Sequence, residues 1–115
     1  MSIVGIGVDL VKIARIQALA ERWQDRFLHR IYTDAERRAC LERASPYASL
    51  AGRFAAKEAV LKALGTGWSE GLSWRDIQIL NDGRGRPVVS VQGKADVLVR
   101  SAGVTQIHVS LSHDA

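Results

Sequence analysis

The chain has 115 residues, one domain's worth of material, with 47% apolar and 24% charged residues, which excludes a disordered or fibrous polymer. Sixteen Lys and Arg against twelve Asp and Glu leave a net charge of +4, which favours an anionic partner without naming one. A single cysteine, Cys40, excludes an internal disulfide framework and fits a reducing compartment. The opening MSIVGIGVDLV lacks the basic leader and small-residue cleavage site of a signal peptide, and no apolar run approaches the roughly 20 residues that span a bilayer. A small, soluble, cytoplasmic domain covering 1–115 is expected.

Ile3 to Asp9 reads as a buried strand. Side chains alternate in a strand, so Gly5, Gly7 and Asp9 share one face, and that face is bare enough for another backbone or a ligand to approach closely. Residues 12–22 place Ile13, Ile16, Leu19 and Ala20 on one helical stripe, with Arg15 and Arg22 turned away. Thr33 with Glu36 has capping-box spacing and opens a helix to about Glu42. Ser45-Pro46 starts another, which runs to Leu64 and stops at Gly65. Residues 74–80 alternate like a half-buried strand; the turn-rich segment 81–87 and the partner Val88–Val91 complete a hairpin. A short helix is predicted over Lys94–Ala102 and a last strand over Gln106–Ser112. The order predicts an α+β domain, a mainly antiparallel sheet packed against a long buried helix.

The long helix is the most informative segment. Ala48, Ala51, Gly52, Ala55, Ala56, Ala59 and Ala63 form a face of small residues, while Leu50, Phe54, Leu61 and Leu64 form a bulky one nearly opposite. A helix apolar on both sides is normally covered on both. Arg53, Lys57, Glu58 and Lys62 sit within or beside the bulky face, where charges must be paired, snorkel or coordinate something. A plain i,i+4 pair between Glu58 and Lys62 is one reading. The other is an anion site, three cations on one arc binding phosphate and Glu58 binding a metal. Mg²⁺ beside phosphates is usually held by one or two carboxylates, and Asp9 on its glycine-cleared face is the candidate for the second.

Two further segments fit a phosphate ligand. Gly65 and Gly67 could turn backbone N–H groups toward an anion, and in the last predicted strand His108, Ser110 and Ser112 share the face opposite Ile107, Val109 and Leu111. Three histidines and one cysteine have no zinc-ligand spacing, and no Gly-x-Ser-x-Gly elbow is present. A nucleic-acid-binding module is the competing reading from another class. It is disfavoured because basic residues alternate with acids, as in residues 33–38, and aromatics are only 6%.

GlyIleGlyValAspLeuVal (5–11), GlyArgPheAlaAlaLysGluAlaValLeuLysAlaLeuGlyThrGly (52–67), TrpArgAspIleGlnIle (74–79), GlyArgProVal (85–88) and HisValSerLeuSerHisAsp (108–114) together resemble the holo-acyl-carrier-protein synthases, the short bacterial 4′-phosphopantetheinyl transferases. The resemblance covers essentially the whole chain in order. It implies a Mg²⁺-dependent transfer of 4′-phosphopantetheine from coenzyme A to a serine of apo acyl carrier protein, releasing adenosine 3′,5′-bisphosphate, in fatty acid biosynthesis. It further implies Asp9 and Glu58 as metal ligands and Lys62 as the pyrophosphate contact, with Glu58 and Lys62 catalytic. Arg53, Gly65, Gly67, Gly85, Pro87, His108 and Ser110 match the coenzyme A pocket, and Arg15, with Arg22 and Arg26, matches the basic surface that docks the acidic carrier. The acceptor of the serine proton stays open among Glu58, a metal-bound water and a neighbouring subunit's residue. Family members form homotrimers with the site at subunit boundaries, which implies Asp9 and the central helix from different chains. The family usually continues past the Ser-His-Asp stretch as a final apolar strand, whereas this sequence stops at Ala115.

Overall fold

The computed structural model describes Gly5, residues 11–65 and residues 71–111. The first helix, α1 (Ile13–Trp23), buries Ile16 and Ala20 and leaves Arg15 and Arg22 exposed, as its stripe predicts. It ends at Gln24, whose φ of 49° turns the chain while its N–H still reaches the Ala20 carbonyl at 2.7 Å. The sequence reading assigns no element to the stretch that follows, yet it forms α2 (Asp25–Ile31). Its inward residues are Phe27, Leu28 and Ile31, and Tyr32 closes it by donating its hydroxyl to the Leu50 carbonyl at 2.7 Å.

Helix α3 (Asp34–Leu41) opens with the expected capping box: Thr33 Oγ1 accepts from Glu36 N at 3.1 Å, and Glu36 Oε1 accepts from Thr33 N at 2.9 Å. Helix α4 (Pro46–Ala63) has proline in its first turn, although Ser45 makes no side-chain cap bond. It stops at Leu64, with Gly65 at φ 73°, a conformation cheap for glycine alone. Both faces of α4 are covered. Leu50, Ala51 and Phe54 join a cluster with Val11, Ile16, Ile31, Tyr32 and Cys40. Ala56, Val60 and Leu61 join a second with Ile77, Ile79 and Ala95. Each large aliphatic side chain so buried contributes about 1.5–3 kcal/mol relative to exposure.

Strands β1 (Ile77–Asn81) and β2 (Pro87–Val91) pair antiparallel, with Ile77 opposite Val91 and Asn81 opposite Pro87. The turn between them is built by Asp82, whose Oδ1 accepts from the N–H groups of Arg84 and Arg86 at 2.8 and 2.9 Å, with Gly85 at φ 81°. Residues 74–76 depart from the predicted strand. They form a 3-10 turn, because Ser73 caps it by accepting from Arg75 N while Asp76 accepts from Ser73 N. Helix α5 (Gly93–Ser101) turns Ala95 and Val99 inward.

The predicted last strand is corrected in part. Among the described residues, 106–111 form no ladder, so the sheet described is two-stranded. The alternation itself holds: Ile107, Val109 and Leu111 pack on the second cluster, while His108 and Ser110 are exposed. The predicted strand at Ile3–Asp9 lies outside the described residues except for Gly5. A Cβ on Gly5 would lie 2.0 Å from the Ala63 carbonyl oxygen, so only glycine lets the opening segment meet the end of α4.

Candidate functional site

The charges of α4 do not share one arc. Successive residues turn by about 100° around a helix, and the core takes some of these side chains and not others. Lys57 is wholly buried. Its Nζ donates to Ile31 O (2.9 Å), Trp74 O (3.0 Å), Ile77 O (2.6 Å) and Glu36 Oε1 (2.7 Å). Glu36 is equally buried, and its Oε2 also accepts from Ile79 N at 3.0 Å. Lys57 is therefore paired and hydrogen-bonded on every side, as a buried charge must be. Burial pushes its pKa down from the ordinary lysine value, and Glu36 opposes that shift.

Arg53 also departs from the expected phosphate-binding arc. It is 2% exposed, its Nε donates to Ile79 O at 3.0 Å, and its Nη1 donates to Ser49 Oγ at 2.7 Å. Within the chain it braces α4 against β1. The expected surface arc is thus corrected for both cations: Lys57 turns to oxygens on α3 and β1, and Arg53 Nε and Nη1 turn to Ile79 O and Ser49 Oγ. Arg53 Nη2 is buried with no hydrogen-bond partner among the described residues.

Glu58 and Lys62 are placed differently. Glu58 is half-buried and Lys62 is exposed, one helical turn apart in the last turns of α4. Gly65 follows directly, exposed, with its left-handed backbone. Asp9 and Gly67 lie outside the described residues. Gly85 is exposed at the hairpin tip and Pro87 is half-buried at the start of β2. His108 is exposed with its Nε2 3.3 Å from Gln106 Oε1, and Ser110 is exposed on the same side of its segment. Arg15, Arg22 and Arg26 are all exposed, and the Arg22 guanidinium stands 5.0 Å from the centre of the Trp23 ring.

Among the described residues, those predicted for the metal and coenzyme A occupy α4 and its end, the hairpin and the 106–111 segment, while the three docking arginines lie on α1 and α2. An open groove of about 540 Å³ lies elsewhere, lined by Thr33, Arg38, Ser73, Arg75 and Gln92 among others, and none of the predicted residues lines it. Among the described residues no three His, Cys, Asp or Glu side chains converge as metal ligands. Sequence reasoning missed the Lys57–Glu36 pair. The signal available was an ionisable residue in the middle of an otherwise apolar helix, which demands a partner; Glu36 was already accounted for as a cap.

Long helix, antiparallel hairpin and short flanking helices define a small α+β domain, and the sequence profile of the 4′-phosphopantetheinyl transferase superfamily matches residues 5–111. The chain belongs to that superfamily. It is 49% identical over 109 residues to the holo-acyl-carrier-protein synthase of Protochlamydia amoebophila, covering 95% of this chain and 87% of the relative. Among solved structures, the holo-acyl-carrier-protein synthase of Neisseria meningitidis superimposes with a TM-score of 0.87 at 36% identity, covering 98% of this chain and 90% of that one. The Helicobacter pylori enzyme in complex with coenzyme A superimposes at 0.80 with 34% identity, covering 96% and 90%.

Proposed function

We propose that this chain transfers the 4′-phosphopantetheine group of coenzyme A to a serine hydroxyl of an apo acyl carrier protein, releasing adenosine 3′,5′-bisphosphate. It does so as one domain over 1–115, in the cytoplasm, in the service of fatty acid biosynthesis. Membership of the superfamily and likeness to a coenzyme A-bound relative support the reaction class. The observation that carries the reading is the placement of a half-buried carboxylate, Glu58, and an exposed ammonium, Lys62, one turn apart toward the end of α4.

The donor set fits Mg²⁺. Glu58 supplies one carboxylate, and Asp9 is the proposed second. Gly5 abuts the Ala63 carbonyl, and Val11 shares a core cluster with Leu50 and Phe54. In the proposed homotrimer, Gly85, Pro87, His108 and Ser110 complete the coenzyme A pocket across the boundary, with Gly65 and Gly67 beside the diphosphate. Arg53 is left out, its guanidinium being turned into the protein.

Bound there, Mg²⁺ would supply positive charge to the diphosphate oxygens. The carrier's serine oxygen forms the new bond to the β-phosphorus as the bond to the leaving bisphosphate breaks, and the serine's hydroxyl proton passes through a base to solvent. Lys62 holds the diphosphate and stabilises the negative charge that grows on its oxygens in that step. The nucleophile belongs to the carrier, so this chain needs none. Arg15, with Arg22 and Arg26, presents positive charge to the acidic carrier.

Mixing the protein with apo carrier, coenzyme A and Mg²⁺ should give a carrier whose mass has gained one phosphopantetheine group. Glu58→Gln should abolish that gain while leaving the fold intact. An unmodified carrier with the wild type would overturn the reading.

A further inference from the structure

Lys57 precedes Glu58 in α4 and points about 100° away from it, into the protein. Its ammonium has three protons and four oxygen neighbours within 3.0 Å, contributed by four separate parts of the fold: the end of α2, the first turn of α3, the 3-10 turn and β1. Glu36 extends the node by accepting from Thr33 N and Ile79 N, and the Phe54 ring stacks on Trp74 at 4.8 Å between centres, next to the carbonyl that Lys57 holds. Few contacts fix the rotation of a helix about its own axis better than a buried side chain bonded in several directions.

The geometry points to Lys57 as a positioning residue for Glu58: by locking the rotation of α4 against α3 and β1, it holds the Glu58 carboxylate where a divalent cation is to be bound. The inference rests on the metal role proposed above for Glu58. A metal ligand must be held to within about 0.5 Å and 10–20°, and supports behind the ligands typically govern metal affinity by 10–100-fold. Leu50, Phe54 and Leu61 are apolar and can slide over their neighbours with little loss; the Lys57 node cannot, because any rotation breaks hydrogen bonds to buried oxygens.

Mn²⁺ binding, followed by electron paramagnetic resonance with coenzyme A present and no carrier, tests this without turnover. The wild type, Lys57→Met, Glu36→Gln and Glu58→Gln are compared, with the folded fraction of each measured alongside. Lys57→Met and Glu36→Gln are expected to raise the Mn²⁺ dissociation constant about 10-fold or more per folded protein, while thermal melting shows a cooperative fold. If Lys57→Met does not fold, Lys57→Arg replaces it, since it keeps the charge but cannot fit a guanidinium to the same four oxygens. Unchanged Mn²⁺ affinity in the folded variants, with Glu58→Gln weakened, would overturn the positioning role and leave the metal reading standing. Equal affinity in wild type and Glu58→Gln would overturn both.

Discussion

Lys57 Nζ lies 2.7 Å from Glu36 Oε1, with both side chains sealed from solvent and 21 positions apart in the chain. Two charges taken out of water together cost much of what their attraction returns, so such a pair is weak evidence of net stability. Breaking it is another matter. Lys57→Met leaves the Glu36 carboxylate buried without its counter-charge and should destabilise the fold by about 3–5 kcal/mol in urea unfolding. Adding Glu36→Leu should restore only part of that loss. Glu36 also accepts from Thr33 N and Ile79 N, and an apolar side chain strands both donors. Full recovery in the double variant would show that the cap and strand bonds matter little.

The same pair marks the boundary of what the sequence makes legible. Local signals are decisive where the cause is local: the Thr33–Glu36 box, Pro46 in the first turn of α4, Gly65 past its end and the Asp82 turn all fall where spacing puts them. Long-range partners are not. The sequence marks Lys57 as a charge beside an apolar face that needs a partner, but only the meeting of α4 with α3 and β1 shows that the partner is Glu36. The 3-10 turn at Trp74–Asp76 was masked for a related reason, since alternating apolar residues read as strand while Ser73 and Asp76 form a local cap that wins over it. Of the site, Glu58, Lys62 and Gly65 emerge together on or just past one helix, whereas the hairpin and the 106–111 segment carry their residues on other surfaces.

Gly5→Ala tests the close approach of the opening segment to α4. The added methyl would sit 2.0 Å from a backbone oxygen, which cannot swing aside like a side chain. Overpacking of this kind costs about 1–3 kcal/mol. A lowered Tm is expected, because Gly5 is pushed off the end of α4. Wild-type Tm in the alanine variant would mean that the two backbones can part without loss.

Tyr32 controls the alkaline limb of stability. Burial, foremost, and then the nearby Cys40 and Glu36 push its phenol well above its ordinary pKa of 10.0, and its hydroxyl donates to Leu50 O. The folded state therefore keeps a proton that the unfolded state loses above about pH 10. The stability this contributes is fully present below pH 10 and falls as pH rises, at about 1.4 kcal/mol per pH unit. Tyr32→Phe should cost about 1 kcal/mol near neutrality, with Leu50 O losing its donor, and should flatten the decline above pH 10 by one proton's worth. The difference between the two proteins' urea curves isolates Tyr32, because Lys57 and Cys40 titrate in both. Parallel curves from pH 9 to 11 would remove Tyr32 from the alkaline transition.

Arg15→Glu addresses the partner. Arg15 and Arg22 are both exposed on α1, one face away from the buried Ile16 and Ala20, and Arg22 is steadied over the Trp23 ring. Charges that steer an encounter act over a screening distance of about 10 Å at 0.1 M salt, so their contribution shrinks as salt rises. Reversing one of them should raise KM for an acidic carrier protein roughly tenfold, which corresponds to about 1.4 kcal/mol, while KM for coenzyme A stays near the wild-type value. The wild type should lose carrier affinity as NaCl is raised, and the variant should lose less, having less attraction to screen. Equal increases in both KM values would place Arg15 in the general integrity of the fold, and a wild type indifferent to salt would mean that the carrier docks through apolar contacts such as Trp23.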